Sequence, residues 1–269
     1  MKCLCAMTTL PNGHDGTERT GFRGVVLARL VDLIYPSIYL WPNPFKIYEG
    51  RLVLSGAALR PDDVVLDLGC GAGLHTHLLA KRCGRAVGLD VAEQWIRRAQ
   101  QELHRVKPGM HVEFVCSALE KAGFGDSMFD KVFSFSVLEH IPNYETVLRE
   151  CRRVLKPGGS LHFSVDWLGA IRDPVLVRKH QEDHSVVRYF SPAEMEDLLK
   201  RCGFSGIDVS TFVRTPSAVE LFKEGIRGGF VYTYRESWAK YRAIKKWESH
   251  PSTDPRPGAI YLHVRAVKP

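Results

Sequence analysis

The chain has 269 residues, enough for one large domain with a cap or an appendage. Hydrophobic content of 45% with 25% charged residues fits a soluble globular protein, and the lack of repeats or low-complexity stretches excludes a solenoid or a long disordered tail. The formal charge of +7 would suit an anionic partner, but the basic residues are scattered, and Arg97-Arg98, Arg152-Arg153 and Lys245-Lys246 read as solvated helix faces.

Residues 24–41 (GVVLARLVDLIYPSIYLW) are the most apolar stretch. Arg29, Asp32 and Pro36 interrupt it, so it is read neither as a transmembrane helix nor as a signal peptide. Val26, Leu27, Leu30, Val31 and Ile34 follow helical spacing. Two readings stay open: a helix packed on the main domain, or a lid or membrane-grazing face that admits a greasy substrate. The seven cysteines (3, 5, 70, 83, 116, 151 and 202) lack disulfide-framework spacing, and Cys3-x-Cys5 has no second Cys/His pair to complete a zinc site. Reduced thiols in a cytoplasmic enzyme without a metal are expected.

From residue 60 short apolar runs alternate with helical stretches, the pattern of βαβ units in a parallel sheet. Strands are predicted at Val64–Leu68, Ala86–Asp90, Val112–Cys116, Lys131–Val137 and Leu161–Val165. Helices are predicted between them at about 73–82, 92–106 and 143–156, the last two ended by Pro108-Gly109 and Pro157-Gly158-Gly159. Ser191-Pro192-Ala193-Glu194 is a capping box opening another helix, with Gly203 past its end. Ile207–Val213 and Ala259–Val267 are two further strands. Residues 167–190 do not fit simple alternation, and the aromatic-rich 216–257 insertion is either an auxiliary helical layer or part of a substrate pocket. The expected division is an N-terminal helical cap at 1–49, a core at 50–215, the insertion at 216–257 and a closing strand at 258–269.

The chemistry is concentrated in Val64-Val65-Leu66-Asp67-Leu68-Gly69-Cys70-Gly71-Ala72-Gly73. Glycines at alternate positions after a strand let the backbone turn tightly and approach a ligand, and the following helix offers free N–H groups. Asp90 ends the next strand, 17 residues beyond Gly73, where a carboxylate can accept both hydroxyls of a ribose. A nicotinamide dehydrogenase would show G-x-G-x-x-G, whereas position 74 is Leu and the final glycine arrives one residue early.

VLDLGCGAG, GLDVA, FDKVFSFSVLEHI, VLKPGG before LHFSV, and YFSPAEMEDLLKRCGF, in this order, resemble class I S-adenosylmethionine-dependent methyltransferases that act on small molecules. The resemblance runs from about Asp62 to Arg214, and to Pro269 if the last strands are the closing antiparallel pair. It implies a doubly wound, Rossmann-like α/β fold with seven strands, the last antiparallel, and S-adenosylmethionine as cofactor. By the same resemblance Asp67 and the backbone of Gly69, Cys70, Gly71 and Gly73 hold the methionine portion, Asp90 the ribose, and Val91 the adenine face. Ser117 and Ala118 meet the adenine edge, with Ser117 standing where many relatives carry Asp. Ser136 lines the methionine side, and Tyr48 in the pre-sheet helix is a candidate carboxylate contact.

The acceptor is expected at the rim beyond the fourth and fifth strands. His140 is the first candidate base, because an ordinary imidazole suits proton abstraction near neutrality, and Asp166 is the second. His180, His184 and Tyr189 are weaker candidates, and His75 and His77 read as packing or surface residues. The fourth strand leads into S-V-L-E-H, not the proline motif used on exocyclic amines of nucleic-acid bases, and no Pro-Cys nucleophile stands there. The expected activity is methyl transfer to O, N or C of a small organic acceptor, aromatic or lipophilic. An RNA methyltransferase and a non-catalytic cofactor-binding partner are the alternatives; DNA is not expected as a substrate.

Overall fold

The computed structural model describes residues 43–101, 110–249 and 258–269. The apolar 24–41 stretch, Cys3, Cys5 and the expected end of the second helix lie outside them.

Helix α1 (Pro44–Ser55) precedes the sheet, with the Asn43 side chain accepting from Phe45 N at 2.9 Å and Pro44 in its first turn. It crosses position 49/50, so the expected cap and core share one helix. The chain then alternates β1 (Val64–Leu68), α2 (Leu74–Ala80), β2 (Arg85–Asp90), α3 (Glu93–Gln101), β3 (Val112–Cys116), β4 (Phe129–Phe135), α4 (Tyr144–Val154) and β5 (Leu155–Asp166). α5 (Pro174–His184), α6 (Pro192–Arg201), β6 (Ser205–Phe212), α7 (Pro216–Gly228), α8 (Tyr234–Glu248) and β7 (Tyr261–Val267) follow.

The seven strands form one sheet in the order β3-β2-β1-β4-β5-β7-β6. The first five run parallel, and β7 is antiparallel to both β5 and β6. The expected seven-stranded, doubly wound fold with an antiparallel last strand is therefore present. Alternate residues of each strand feed opposite layers. Leu66, Val132, Leu161 and Val264 pack under α4 and α6, whereas Val65, Ala86 and Phe133 pack under α1 and α2. Chain direction across the sheet reverses between β1 and β4, and the crevice at their carboxyl ends is where such sheets bind ligands.

Two differences have clear causes. The Pro157-Gly158-Gly159 turn lies within β5, because Leu155 already pairs with Phe129 and the register slips before Ser160 meets Lys131. The aromatic insertion holds α7 and α8: Ala218, Phe222 and Ile226 of α7 and Ile244 of α8 join Phe45, Phe212 and Tyr261 in a second core. The expected capping box of α6 is formed in both directions, and Thr233 and Glu236 build a second one on α8.

Inside the sheet, His162 of β5 stacks on Phe133 with ring centroids 5.2 Å apart, and its Nε2 lies 2.9 Å from Ser160 Oγ. Burial, with the nearby charges of His263 and Arg265, pushes its pKa down to about 3. A base with a lowered folded-state pKa leaves the unfolded chain binding the proton first, so its contribution is intact above the ordinary value near 6.5 and is lost as pH falls below it. We expect urea-unfolding stability to fall between pH 6.5 and 4.5 with a slope approaching ~1.4 kcal/mol per pH unit from this residue. His162→Gln should flatten that part of the profile.

Candidate active site at the carboxyl edge of the sheet

Beyond β1 the glycine loop folds back on β2, with Gly69 N and Cys70 N both donating to Leu89 O (2.7 and 3.0 Å). Gly73 has φ +81°, and a Cβ there would lie 2.5 Å from the Phe114 ring, so only glycine lets α2 start this close to β3. At Gly71 (φ +51°) a Cβ would meet nothing within 4 Å, so its backbone faces open space.

Two carboxylates flank the loop. Asp67 is buried; its Oδ2 accepts from Thr76 Oγ1 at 2.6 Å, and its Oδ1 has no hydrogen-bond partner among the described residues. Burial raises its pKa to about 7 against the Thr76 hydrogen bond, helped by the charge of Asp90. Asp90 accepts from Gly71 N and Ala92 N, both at 2.9 Å, which fixes the carboxylate beside the loop while each oxygen keeps a free lone pair. Val91 next to it is half exposed, at 50%. Ser117 N donates to Asp90 O at 3.0 Å, and its hydroxyl donates to Ala118 O at 3.0 Å. Cys70 is buried with its thiol pushed up by desolvation, so it serves the loop through its backbone. An orphaned buried acid, a loop facing open space and an exposed apolar side chain fit an ammonium, a ribose and an adenine, the parts of S-adenosylmethionine.

The second half of the site joins the ends of β4 and β5 to α1. Lys46 Nζ donates to Ser136 Oγ at 2.6 Å and pairs with Glu49 Oε2 at 3.0 Å. Ser136 and Ser164 hydroxyls both donate to Glu49 Oε1, at 2.6 and 2.5 Å. Burial alone would raise Glu49, but Lys46 and these hydroxyls outweigh it and hold it below the carboxylate range. Burial likewise opposes the Lys46 ammonium, and Glu49, then Asp166 and Glu139, hold it charged. Ser136 itself sits at φ +49°, a left-handed conformation for a side-chain-bearing residue at the strand end.

Beside this clasp lie Glu139, Asp166 and His140. Glu139 Oε1 accepts from Asp166 N at 3.3 Å, while Glu139 Oε2 and Asp166 Oδ1 are buried without a hydrogen-bond partner among the described residues. Burial raises both acids, with the charge of Asp166 adding to the rise at Glu139 and that of Glu49 adding to it at Asp166, while Lys46 opposes the rise in both. His140 Nδ1 lies 3.3 Å from Ser185 O; a carbonyl only accepts, so the proton is on Nδ1 and Nε2 carries the lone pair. Desolvation lowers its pKa against the pull of Asp166, which keeps the imidazole neutral.

The sequence-predicted residues thus fall in two groups on one edge: Asp67 to Gly73 with Asp90, Val91, Ser117 and Ala118, then Ser136, His140 and Asp166. Tyr48 packs 6.1 Å from Phe212 against the second core, on a different face of α1 from the one that reaches Ser136. Lys46 and Glu49 occupy that face and were missed, although their i,i+3 opposite charges in a helix begun by Asn43-Pro44 are a readable ion-pair signal. His75 stacks on Phe135 at 3.7 Å, as a packing residue would.

A family model described as a methyltransferase domain matches residues 66–163. The ubiquinone biosynthesis O-methyltransferase of Idiomarina loihiensis is 30% identical over 195 residues, covering 69% of this chain and 75% of that protein. Its namesake from Chromobacterium violaceum is 32% identical over 148 residues, 52% of this chain and 63% of that one. Among solved structures, phosphoethanolamine N-methyltransferase 2 of Haemonchus contortus superposes with a TM-score of 0.60 at 21% identity, covering 82% of this chain and 52% of that chain. The [4+2]-cyclase SpnF superposes at 0.57 and 19%, covering 82% and 79%. Sheet order, glycine loop and these matches define an α/β methyltransferase fold. The chain belongs to the class I S-adenosylmethionine-dependent methyltransferases and is a methyl-transferring enzyme.

Removing the ammonium tests the clasp. Lys46→Met leaves Glu49 buried against two hydroxyls, and the expected loss is ~2 kcal/mol in chemical denaturation, below the range for a fully buried pair because Lys46 is partly exposed. Lys46→Met/Glu49→Gln should recover much of it.

Proposed function

We propose that this chain methylates a hydroxyl oxygen of a small aromatic acceptor, with Asp166 and His140 as the candidate bases. The observation that carries this is the unpartnered, buried Asp166 Oδ1 at the end of β5, an acceptor waiting for a donor on the edge that bears the glycine loop. An acceptor O–H fits that oxygen and satisfies it. The names of the curated relatives, O-methyltransferases of ubiquinone biosynthesis, support oxygen over nitrogen or carbon.

In this reading Asp67 and the backbone of Gly69, Cys70, Gly71 and Gly73 receive the ammonium end of S-adenosylmethionine. Asp90 takes the ribose hydroxyls, Val91 covers the adenine, and Ser117 and Ala118 meet its edge. Ser136 borders the methionine side. When bound, the cofactor supplies an activated methyl group, so the protein needs neither metal nor covalent intermediate for the transfer itself. Its own residues hold the acceptor oxygen in line, exclude water and take the hydroxyl proton onto Asp166 Oδ1 or His140 Nε2. Phe222 and Phe230, with ring centroids 5.1 Å apart, pack beside His180 in the second core. No described helix is long and apolar enough to cross a membrane; a cytoplasmic enzyme acting on a small molecule rather than RNA agrees with this.

Calorimetric titration with S-adenosylmethionine should show saturable binding that Asp90→Ala weakens at least ~10-fold, or ~1.4 kcal/mol, with NADH not bound. Affinity should fall below pH 7, as Asp67, with its pKa near 7, takes a proton and loses the charge that holds the ammonium. With labelled cofactor and a panel of catechols and phenols, Asp166→Asn and His140→Gln separate the bases: the true base loses ~100- to 10,000-fold in kcat. Loss in neither variant would contradict base-assisted O-methylation.

A further inference from the structure

The lid-like segment after β5 carries a buried chain of groups behind Asp166. Asp166 Oδ2 lies 3.6 Å from His180 Nε2, and His180 Nδ1 lies 3.0 Å from Tyr189 OH. His180 is 3% exposed, although it stands on a surface helix whose other core residue is Leu176. Its ring is wedged between His184 (4.5 Å) and Phe222 (5.6 Å), which leaves the imidazole little freedom to turn away. The His180–Tyr189 contact can be satisfied in two ways; in the one that serves an ionised Asp166 the phenol donates to Nδ1 and Nε2 keeps its hydrogen on the carboxylate side.

We propose that Asp166, His180 and Tyr189 form a carboxylate–imidazole–phenol relay in which His180 and Tyr189 are positioning residues that keep Asp166 ionised and turned toward the acceptor. This rests on Asp166 being the acceptor-facing base, and it assigns a function to the helix α5 and the 185–190 loop. A His180 N–H drawn onto Oδ2 would leave the other oxygen, Oδ1, free for the acceptor proton. The relay moves no proton beyond Asp166, whose Oδ1 takes the proton of the acceptor hydroxyl; bound S-adenosylmethionine would supply the methyl group that replaces it, its S–CH3 bond being the one broken. A neutral His180 suits this part, because a cation there would hold Asp166 too weakly basic. Burial, with Lys46 and His140 nearby, keeps its pKa near 3. The remaining groups facing Asp166 are Lys46 and Glu49 of α1, Glu139 and His140 after β4, and His184 of α5, and Tyr261 at the start of β7 feels its charge. No hydrogen bond to Oδ2 forms among the described residues; His180 Nε2, at 3.6 Å, stands just outside that distance.

The test needs neither cofactor nor acceptor. In full-length protein labelled with 15N-histidine, His180 should be neutral and in the Nε2–H tautomer from pH 5.5 to 8, and Tyr189→Phe should mix the tautomers. In a Glu139→Gln background, which leaves Glu49 as the other acid at this edge, the 13Cγ midpoint of Asp166 should rise by about one pH unit in His180→Phe. It should stay within ~0.3 unit in His180→Gln, whose amide nitrogen can take the place of Nε2–H. His180→Phe conserves an aromatic ring in the wedge, and an unchanged melting temperature shows that it has folded; Tyr189→Phe serves if it has not. An Nδ1–H tautomer, an imidazolium at pH 7, or an Asp166 midpoint that ignores His180 overturns the relay. Those outcomes are independent of Asp166→Asn kinetics, so the relay and the O-methylation reading can fail separately.

Discussion

Placing three carboxylates, Glu49, Glu139 and Asp166, out of water beside one ammonium is the constraint around which the site edge is built. Each exposure is 5% or less, and isolated buried charges at such spacing are not tolerated. The structure meets the cost in three ways. Lys46 and two serine hydroxyls hold Glu49 below the carboxylate range; Lys46 opposes the rise that burial imposes on Glu139; and it does the same at Asp166. All three solutions require α1 to lie across the ends of β4 and β5, so the pre-sheet helix is a wall of the site as well as a packing element. The Phe45 ring on the same helix, 5.0 Å from Phe222, ties that wall to the inserted helices.

The two halves of the edge differ in how they are made. Around β1 and β2 the site is backbone: glycines, free N–H groups and two acids held by amides and one threonine. Such a surface recognises a polar ligand of fixed shape and can be kept constant while the acceptor changes. Around β4 and β5 it is side chains contributed by α1, α5 and the 185–190 loop. The likeness to both an N-methyltransferase and a [4+2]-cyclase at near-equal TM-scores fits this division, since a shared scaffold does not fix the chemistry on its rim.

How much of this was legible in the sequence follows from the range of the interactions. The glycine loop, Asp67 and Asp90 sit within a few residues of strand ends, so local pattern placed them correctly. The same holds for the α6 capping box, which is a four-residue signal. Strand 5 was read six residues short at its start because Pro157-Gly158-Gly159 looks like a turn, and only pairing with Phe129 makes it a bulge. Lys46 and Glu49 were missed because their partners lie 87 to 115 residues away, at Ser136 and Ser164. His180 carried no spacing relation to Asp166; a helix return brings it there. Which neighbour on α1 meets Ser136 depends on rotation about the helix axis, which local sequence leaves open.

The central claim is that one edge holds the cofactor at β1 and β2 and the reacting oxygen at β5. A crystal structure with S-adenosylhomocysteine tests it most directly. The account predicts the ribose hydroxyls on Asp90, the amino group at Asp67, and the sulfur facing the gap between Ser136 and Asp166. A ligand seated elsewhere, or a sulfur directed away from Asp166, would contradict it.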